Sequence, residues 1–350
     1  MWSAKSEIES HERIRELFQQ NVQSVFGSTM GDARVTQVAV SRPLHLRRDR
    51  SHRILTIKYV RGGSIHTKKL WLKFRQGFGR LFDIHTAAYN RLSAKCNILP
   101  QPYFCGECDG QSLMAMEFVE GTSLRNLLLR CAVYGRSSAL RDVFWRVGVA
   151  VRQLHDSSKA SGSKTVGELA ENARRATDRS RYITPDEKAT VMAKIAIAET
   201  QAHSQSALPL IKIHNDCILR NIVIRGSGSP CIVDLDSMRT QDNSRWYDVG
   251  CFLINLESQT KYCFLVNPKI IMNMWKSFWQ GYVDVGRPDG LSEEQITALI
   301  YLIKLEYLLG GTVRAPLFEV YTGVLATGYL TRLKDAILRG DYVTFAESHV

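Results

Sequence analysis

The chain has 350 residues, 45% of them hydrophobic, and a formal net charge of +12. That length accommodates one large core or two lobes. No apolar run reaches the roughly 18 residues of a membrane span, and Met1-Trp-Ser-Ala-Lys5 opens without the apolar core of a signal peptide, so a cytoplasmic protein with no integral membrane segment is expected.

From Ser3 to Phe26, the apolar positions Ile8, Ile14, Leu17, Phe18, Val22, Val25 and Phe26 recur at helical spacing, which predicts an amphipathic helix packed on the first lobe. Strands follow at Val35–Val40, Ile54–Val60 and Lys69–Phe74, with a turn at Arg61-Gly62-Gly63-Ser64. Between Arg42 and Arg80 stand twelve Lys or Arg against a single acid, Asp49. Such a stretch suits contact with phosphates or an anionic surface. A helix from Leu81 to Leu92 comes next, then a hairpin of Tyr103–Gly106 and Leu113–Val119 across Asp109-Gly110. Cys105 and Cys108 lie in that hairpin with no second pair of ligands at zinc spacing, and the eight cysteines read as reduced thiols. Gly121 permits a sharp exit from the second strand, and Ser123 can cap the helix that follows.

Leu140 to His155 carries Val143, Phe144, Val147, Val151 and Leu154 at helical spacing, a core helix with a structural His155 at its end. The 59 positions from His155 to His214 hold two polar helical stretches, about Val166–Arg179 and Pro185–His203. Ile222–Ile224 and Cys231–Val233 then flank Gly226-Ser-Gly228-Ser, a hairpin signal. Asp216 and Asn221 precede its first strand, and Asp234 and Asp236 follow its second. An antiparallel hairpin brings those ends together, so Asp216, Asn221 and Asp234 can converge, and two carboxylates and an amide oxygen at a hairpin mouth suit a hard cation, Mg2+ above all. A buried helix from Tyr247 to Leu256 and an apolar, aromatic helical remainder from Tyr262 to Leu333 complete the chain; nothing in that remainder carries chemistry by itself.

The order His214-Asn-Asp216, four residues, Asn221, strand, turn, strand, Val233-Asp234-Leu-Asp236 resembles the protein-kinase-like fold, and most closely the aminoglycoside phosphotransferase and choline kinase superfamily. The resemblance covers about Val35 to Ser258. It implies a bilobal α+β fold with a small antiparallel-sheet N-lobe and a large, mainly helical C-lobe. Residues 1–30 would pack on the first lobe, 31–120 would form the ATP-binding sheet and hinge, and 121–350 would carry the catalytic loop, metal site and acceptor pocket. It further implies transfer of the γ-phosphoryl group of ATP to a hydroxyl. Asp216 is then the catalytic base, Asn221, Asp234 and Asp236 the Mg2+ ligands, Lys73 the lysine on the α- and β-phosphates, and Glu117 and Val119 the hinge groups on adenine. Asp248 would brace the catalytic loop by accepting backbone N–H groups.

Two departures from the family pattern stand out. Ser41 to His52 contains no glycine, so Arg47, Arg48 or Arg50 would have to contact phosphate in place of a glycine-rich loop. His85 occupies the position of the glutamate that should pair with Lys73, leaving Asp83 as the only nearby carboxylate or no pair at all. These departures favour a non-catalytic nucleotide-binding scaffold as the alternative; the three retained polar residues argue against it. An atypical protein kinase is the second alternative, disfavoured by the 59-position insertion, which in small-molecule kinases builds part of the acceptor pocket. The basic charge balance, with Glu168 and Glu171 in the first insertion helix too few to mark a cationic pocket, points away from a polycationic acceptor. A sugar, nucleoside, amino alcohol or anionic glycan precursor fits better.

Overall fold

The structure, a computed structural model, describes residues 4–27, 34–42, 45–47, 50–75, 78–93, 96–108, 110–180, 183–203, 205–239, 242–261, 266–284 and 286–311. The readings for Arg48, for Asp109 and for the remainder beyond 311 lie outside the described residues. The chain divides into two compact units, Met1–Glu120 with Cys231–Arg239, and Gly121–Pro230 with Thr240–Val350. The segment bearing Asp234 and Asp236 therefore groups with the first unit.

In the first unit, the expected single amino-terminal helix is two: α1 (Ala4–Gln20) and α2 (Val22–Phe26). Asn21 breaks it, its side-chain amide donating to Leu17 O at 2.8 Å and so competing with the helical ladder. An antiparallel sheet follows, built from β1 (Arg34–Val40), β2 (His45–Arg47), β3 (Arg50–Arg61), β4 (Ser64–Arg75), β5 (Pro102–Cys108) and β6 (Gln111–Glu117). Its order is β1-β3-β4-β6-β5, with the short β2 also on β3. Gly62 and Gly63 both adopt positive φ at the β3–β4 turn, where a Cβ would be strained. α3 (Phe78–Ser93) lies between β4 and β5 in sequence.

Alternation along β4 decides which face each residue serves. Leu70, Leu72 and Phe74 are buried with Leu55, Ile57, Phe104, Leu113 and Ala115 against Ile14, Leu17, Phe18, Val25 and Phe26. Trp71, on the other face, packs with Phe78, Leu81, Met114 and Met116. Lys73 and Arg75 share that second parity. The register among the lysines follows from it. Lys68 turns to the first face, where its Nζ donates to Val25 O at 2.5 Å and lies over the Tyr103 ring. Lys69 is exposed and pairs with Glu120. Arg53, only 2% exposed, meets His11 Nε2 at 2.6 Å. Much of the basic stretch is thus held by its own unit, while Lys58, Arg61 and Arg80 stay exposed.

The second unit begins with β7 (Gly121–Ser123) and α4 (Leu124–Val133), whose N-cap is the Ser123 hydroxyl accepting from Asn126 N–H. Gly121 serves a close approach: a Cβ there would sit 2.2 Å from Ile224 O. Next come α5 (Arg141–Asp156), β8 (Gly162–Thr165), α6 (Val166–Arg179), α7 (Pro185–Gln201) and β9 (Ala207–Ile211). Both insertion helices open with full capping boxes, Thr165 with Glu168 and Thr184 with Glu187. Glu168 is accordingly a cap, and Glu171 pairs with Arg174 and Arg175. β10 (Ile222–Arg225) pairs antiparallel with β7, and the turn after it closes through Arg225 N–H to Ser229 O and Gly228 N–H to Arg225 O. β11 (Pro230–Ile232) leads out of this unit. β12 (Asn243–Ser244), α8 (Arg245–Glu257), α9 (Pro268–Val283) and α10 (Glu293–Gly311) complete it. The β12–β9–β8 sheet and the helices bury Phe144, Val147, Trp246, Phe252, Phe278 and Leu302. Among the described residues no helix is long and apolar enough to cross a membrane.

Candidate active site

The loop between β9 and β10 carries Asp216, and its backbone is fixed from below. Asp248, in the first turn of α8 and fully buried, accepts from His214 N–H at 2.7 Å and from Asn215 N–H at 2.8 Å. Its carboxylate, which can only accept, also takes the Nε2 proton of His155 at 3.0 Å. His155 Nδ1 meets the Tyr282 hydroxyl at 2.8 Å, so both ring nitrogens are engaged. Asn215 adopts φ +60, a conformation Asn tolerates better than most residues. Asp216 N–H donates to His214 Nδ1 at 3.2 Å, and Leu219 N–H donates to Asn255 Oδ1 at 3.0 Å.

Asn221 holds the Asp216 side chain. Its Nδ2 donates to Asp216 Oδ2 at 2.9 Å and to Asp216 O at 3.0 Å. That orientation commits the amide nitrogen to the loop and presents the amide oxygen as an acceptor. Arg220 is exposed and reaches Asp216 Oδ2 only at 3.9 Å, a weak surface pair. The neighbouring thiols of Cys217 and Cys251 are pushed well up by burial and offer no nucleophile. Tyr307 on α10 is pushed up to about 12 by burial, with Asp216 and Cys251 among the charges acting on it. α10 therefore passes near the loop, a placement the apolar pattern of that helix does not signal.

In the first unit, Lys73 is 5% exposed at its side chain and donates to Asp234 Oδ1 at 2.5 Å and Asp236 Oδ1 at 2.7 Å. Burial disfavours its charge, but the two carboxylates outweigh burial and raise the ammonium above its ordinary value. Lys73 thus has carboxylate partners, and they are not the expected one. Asp83 is exposed on α3 and acts on Cys105 rather than on Lys73. His85 is 1% exposed, with Nε2 2.9 Å from Pro100 O. Burial pushes its imidazole down to about 4, the Pro100 carbonyl opposing and Lys73 adding to the fall. Asp234 adopts φ +62 and is 45% exposed at its side chain; Asp236 is 15% exposed. Glu117 N–H already donates to Gln101 O at 2.8 Å, so the hinge group it could offer a base is its carbonyl.

Each unit by itself offers hard oxygen, an exposed carboxylate at Asp234 in the first and an amide oxygen at Asn221 in the second, donor types that suit a divalent cation better than a soft metal. Among the described residues no group of three or more His, Cys, Asp or Glu side chains gathers as a metal site. Cys105 and Cys108 are unbridged thiols.

A model of the family described as "Phosphotransferase enzyme family" matches residues 87–262. No curated protein matches the sequence. Among solved structures, the fold is similar to aminoglycoside phosphotransferase APH(4)-Ia, at 12% identity and a TM-score of 0.55, covering 97% of this chain and 100% of that one. A thermostable mutant of the same enzyme, solved as a ternary complex with AMP-PNP and hygromycin B, is 13% identical with a TM-score of 0.53, covering 93% and 97% of the two chains.

Proposed function

The chain belongs to the phosphotransferase enzyme family, and on that premise we propose that it transfers the γ-phosphoryl group of ATP, with Mg2+, to a hydroxyl of a small molecule or sugar. The observation that carries this reading is the Asp216 carboxylate held by the Asn221 amide on a loop whose backbone is tied to buried Asp248. A loop built only to turn the chain has no need of a buried carboxylate beneath it and an oriented one above.

Asp216 accepts the proton of the acceptor hydroxyl as its oxygen attacks the γ-phosphorus. The bond from Asn221 Nδ2 fixes the plane of the Asp216 carboxylate, and Asp248 fixes the backbone from which it projects. Lys73 bonds the α- and β-phosphate oxygens. The Glu117 carbonyl and the Val119 N–H meet the adenine edge. Asn221 and Asp234 are the residues that would hold Mg2+, which offsets the negative charge of the phosphates when bound. The relative solved with AMP-PNP supports a nucleoside triphosphate as donor. The exposed lysines and arginines of the 42–80 stretch are available for an anionic partner or phosphate. A cytoplasmic setting agrees with thiols that form no disulfide among the described residues.

The acceptor belongs with sugars, nucleosides and amino alcohols rather than polycations. Glu168 is committed to its cap and Glu171 to Arg174 and Arg175, so neither is offered to a cationic acceptor. Mg2+-dependent ATP consumption against a panel of such acceptors, for the parent and Asp216→Ala, tests the reading. The substitution is expected to lower kcat by on the order of 10²–10⁴ with ADP affinity preserved. Parental turnover in Asp216→Ala refutes the assignment.

A further inference from the structure

We propose that Asp236 is the positioning residue for Lys73, supplying from the segment after β11 the carboxylate that α3 does not supply, and that it is not a metal ligand. The inference rests on the kinase reading and reassigns one of its residues. Lys73 and Arg75 project from the same face of β4, and Asp236 lies between them, with Oδ1 2.7 Å from Lys73 Nζ and Oδ2 3.9 Å from Arg75 Nη1. Both its oxygens thus face cations of one strand. The turn that presents it, Leu235–Arg239, is anchored by Leu235 and Met238, 3% and 1% exposed, and packs on α3.

On α3, where a carboxylate would otherwise stand, His85 is buried against Pro100 O. An imidazole, neutral or cationic, cannot serve as counter-ion to a lysine, and it would not need to, because Asp236 already pairs with Lys73. Asp234 contrasts with Asp236 in both exposure and backbone. At 45% exposure and φ +62 it can take a ligand arriving from solvent. If Asp234 turns from Lys73 to a cation, the ammonium, 5% exposed, still needs an anion, since an unpaired buried charge is disfavoured. Asp236 supplies it. Using Asp236 as a second ligand would strip Lys73 of both partners at once.

The test is calorimetric titration of ADP in EDTA, paired with Mg2+ titration of turnover, on the parent, D236N, D234N and the double variant H85E/D236N. D236N is expected to weaken metal-free ADP binding roughly tenfold, the scale of one charge-assisted hydrogen bond, without moving the half-saturating Mg2+. D234N is expected to raise the half-saturating Mg2+. Adding H85E to D236N returns a carboxylate beside Lys73 and should recover most of the ADP affinity. An unchanged metal-free affinity in D236N with a raised Mg2+ requirement overturns the proposal, as does a folded double variant that recovers nothing. Should D236N alone fail to fold by circular dichroism, a folded, ADP-binding H85E/D236N supports the proposal and an unfolded one overturns it. A parent that does not bind ADP at all removes the kinase reading and this inference with it. A parent that binds, with D236N indistinguishable from it, removes this inference alone.

Discussion

Replacing Asp248 by Asn tests whether the loop that bears Asp216 is held from below. The parent carboxylate accepts three hydrogen bonds in a fully buried setting, at 2.7, 2.8 and 3.0 Å. An asparagine keeps one oxygen and turns the other into an NH2 that faces a donor. If the oxygen stays with His214 N–H and His155, the Asn215 N–H is left opposed. Leaving one buried donor unmade costs about 1–3 kcal/mol, and the bonds that remain lose their ionic assistance, for a total of about 2–4 kcal/mol. For a unit of this size each kcal/mol moves Tm by about 2–4 °C, so a fall of roughly 5–15 °C is expected in differential scanning fluorimetry. Because Asn215 immediately precedes Asp216, kcat should fall as well, while KM for ATP changes little. A Tm within about 2 °C of the parent together with parental kcat would refute the reasoning that Asp248 braces this loop.

Three further outcomes are expected. Gly121→Ala places a Cβ 2.2 Å from Ile224 O, a backbone atom that cannot step aside, so β7 must part from β10 and the variant should melt well below the parent. Gly148→Ala and Gly281→Ala each put a Cβ 2.0 Å from a backbone oxygen, of Phe278 and Trp145 respectively, where α5 crosses α9. Each should lower Tm, and the double variant should lose less than the sum because both relieve one crossing. His85 confers pH dependence on stability. Its pKa falls from 6.5 to about 4 on folding, so the unfolded chain binds the extra proton between those values. The contribution is whole above about pH 6.5 and is lost as pH falls toward about 4, the loss reaching about 2 kcal/mol at pH 5. Tm measured at pH 7 and pH 5 should fall further in the parent than in His85→Gln; equal falls would refute the buried neutral imidazole.

Most of the helical and sheet elements could be read from local pattern because their residues answer to one neighbour each. The insertion helices are an example: Thr165 with Glu168 and Thr184 with Glu187 are capping boxes visible as letters three apart, and the helices begin where they say. The alternation Leu70, Leu72, Phe74 likewise marks the buried face of β4 without reference to any partner. The amino-terminal apolar spacing runs unbroken past Asn21 and so predicts one helix where there are two. Only the competing bond from the Asn21 amide to Leu17 O interrupts it, and hydrophobic period does not register that bond.

The same distinction separates the parts of the candidate site. Asp216 and Asn221 are five positions apart, their bond spans a single loop, and the spacing alone was enough to single out the pair. The partner of Lys73 is 163 positions away at Asp236, and no local rule reaches that far. Spacing reaches only the adjacent helix, where it meets His85 and Asp83 and no acid paired with Lys73. What burial of a lysine requires is a carboxylate within hydrogen-bond reach, and any segment that packs on the same face can supply it. A histidine at the expected position then becomes admissible, because once Asp234 and Asp236 balance Lys73, a further acid on α3 would bury excess negative charge. A histidine on α3 and a carboxylate after β11 are then compatible parts of one arrangement, and a sequence displays the two as unrelated letters.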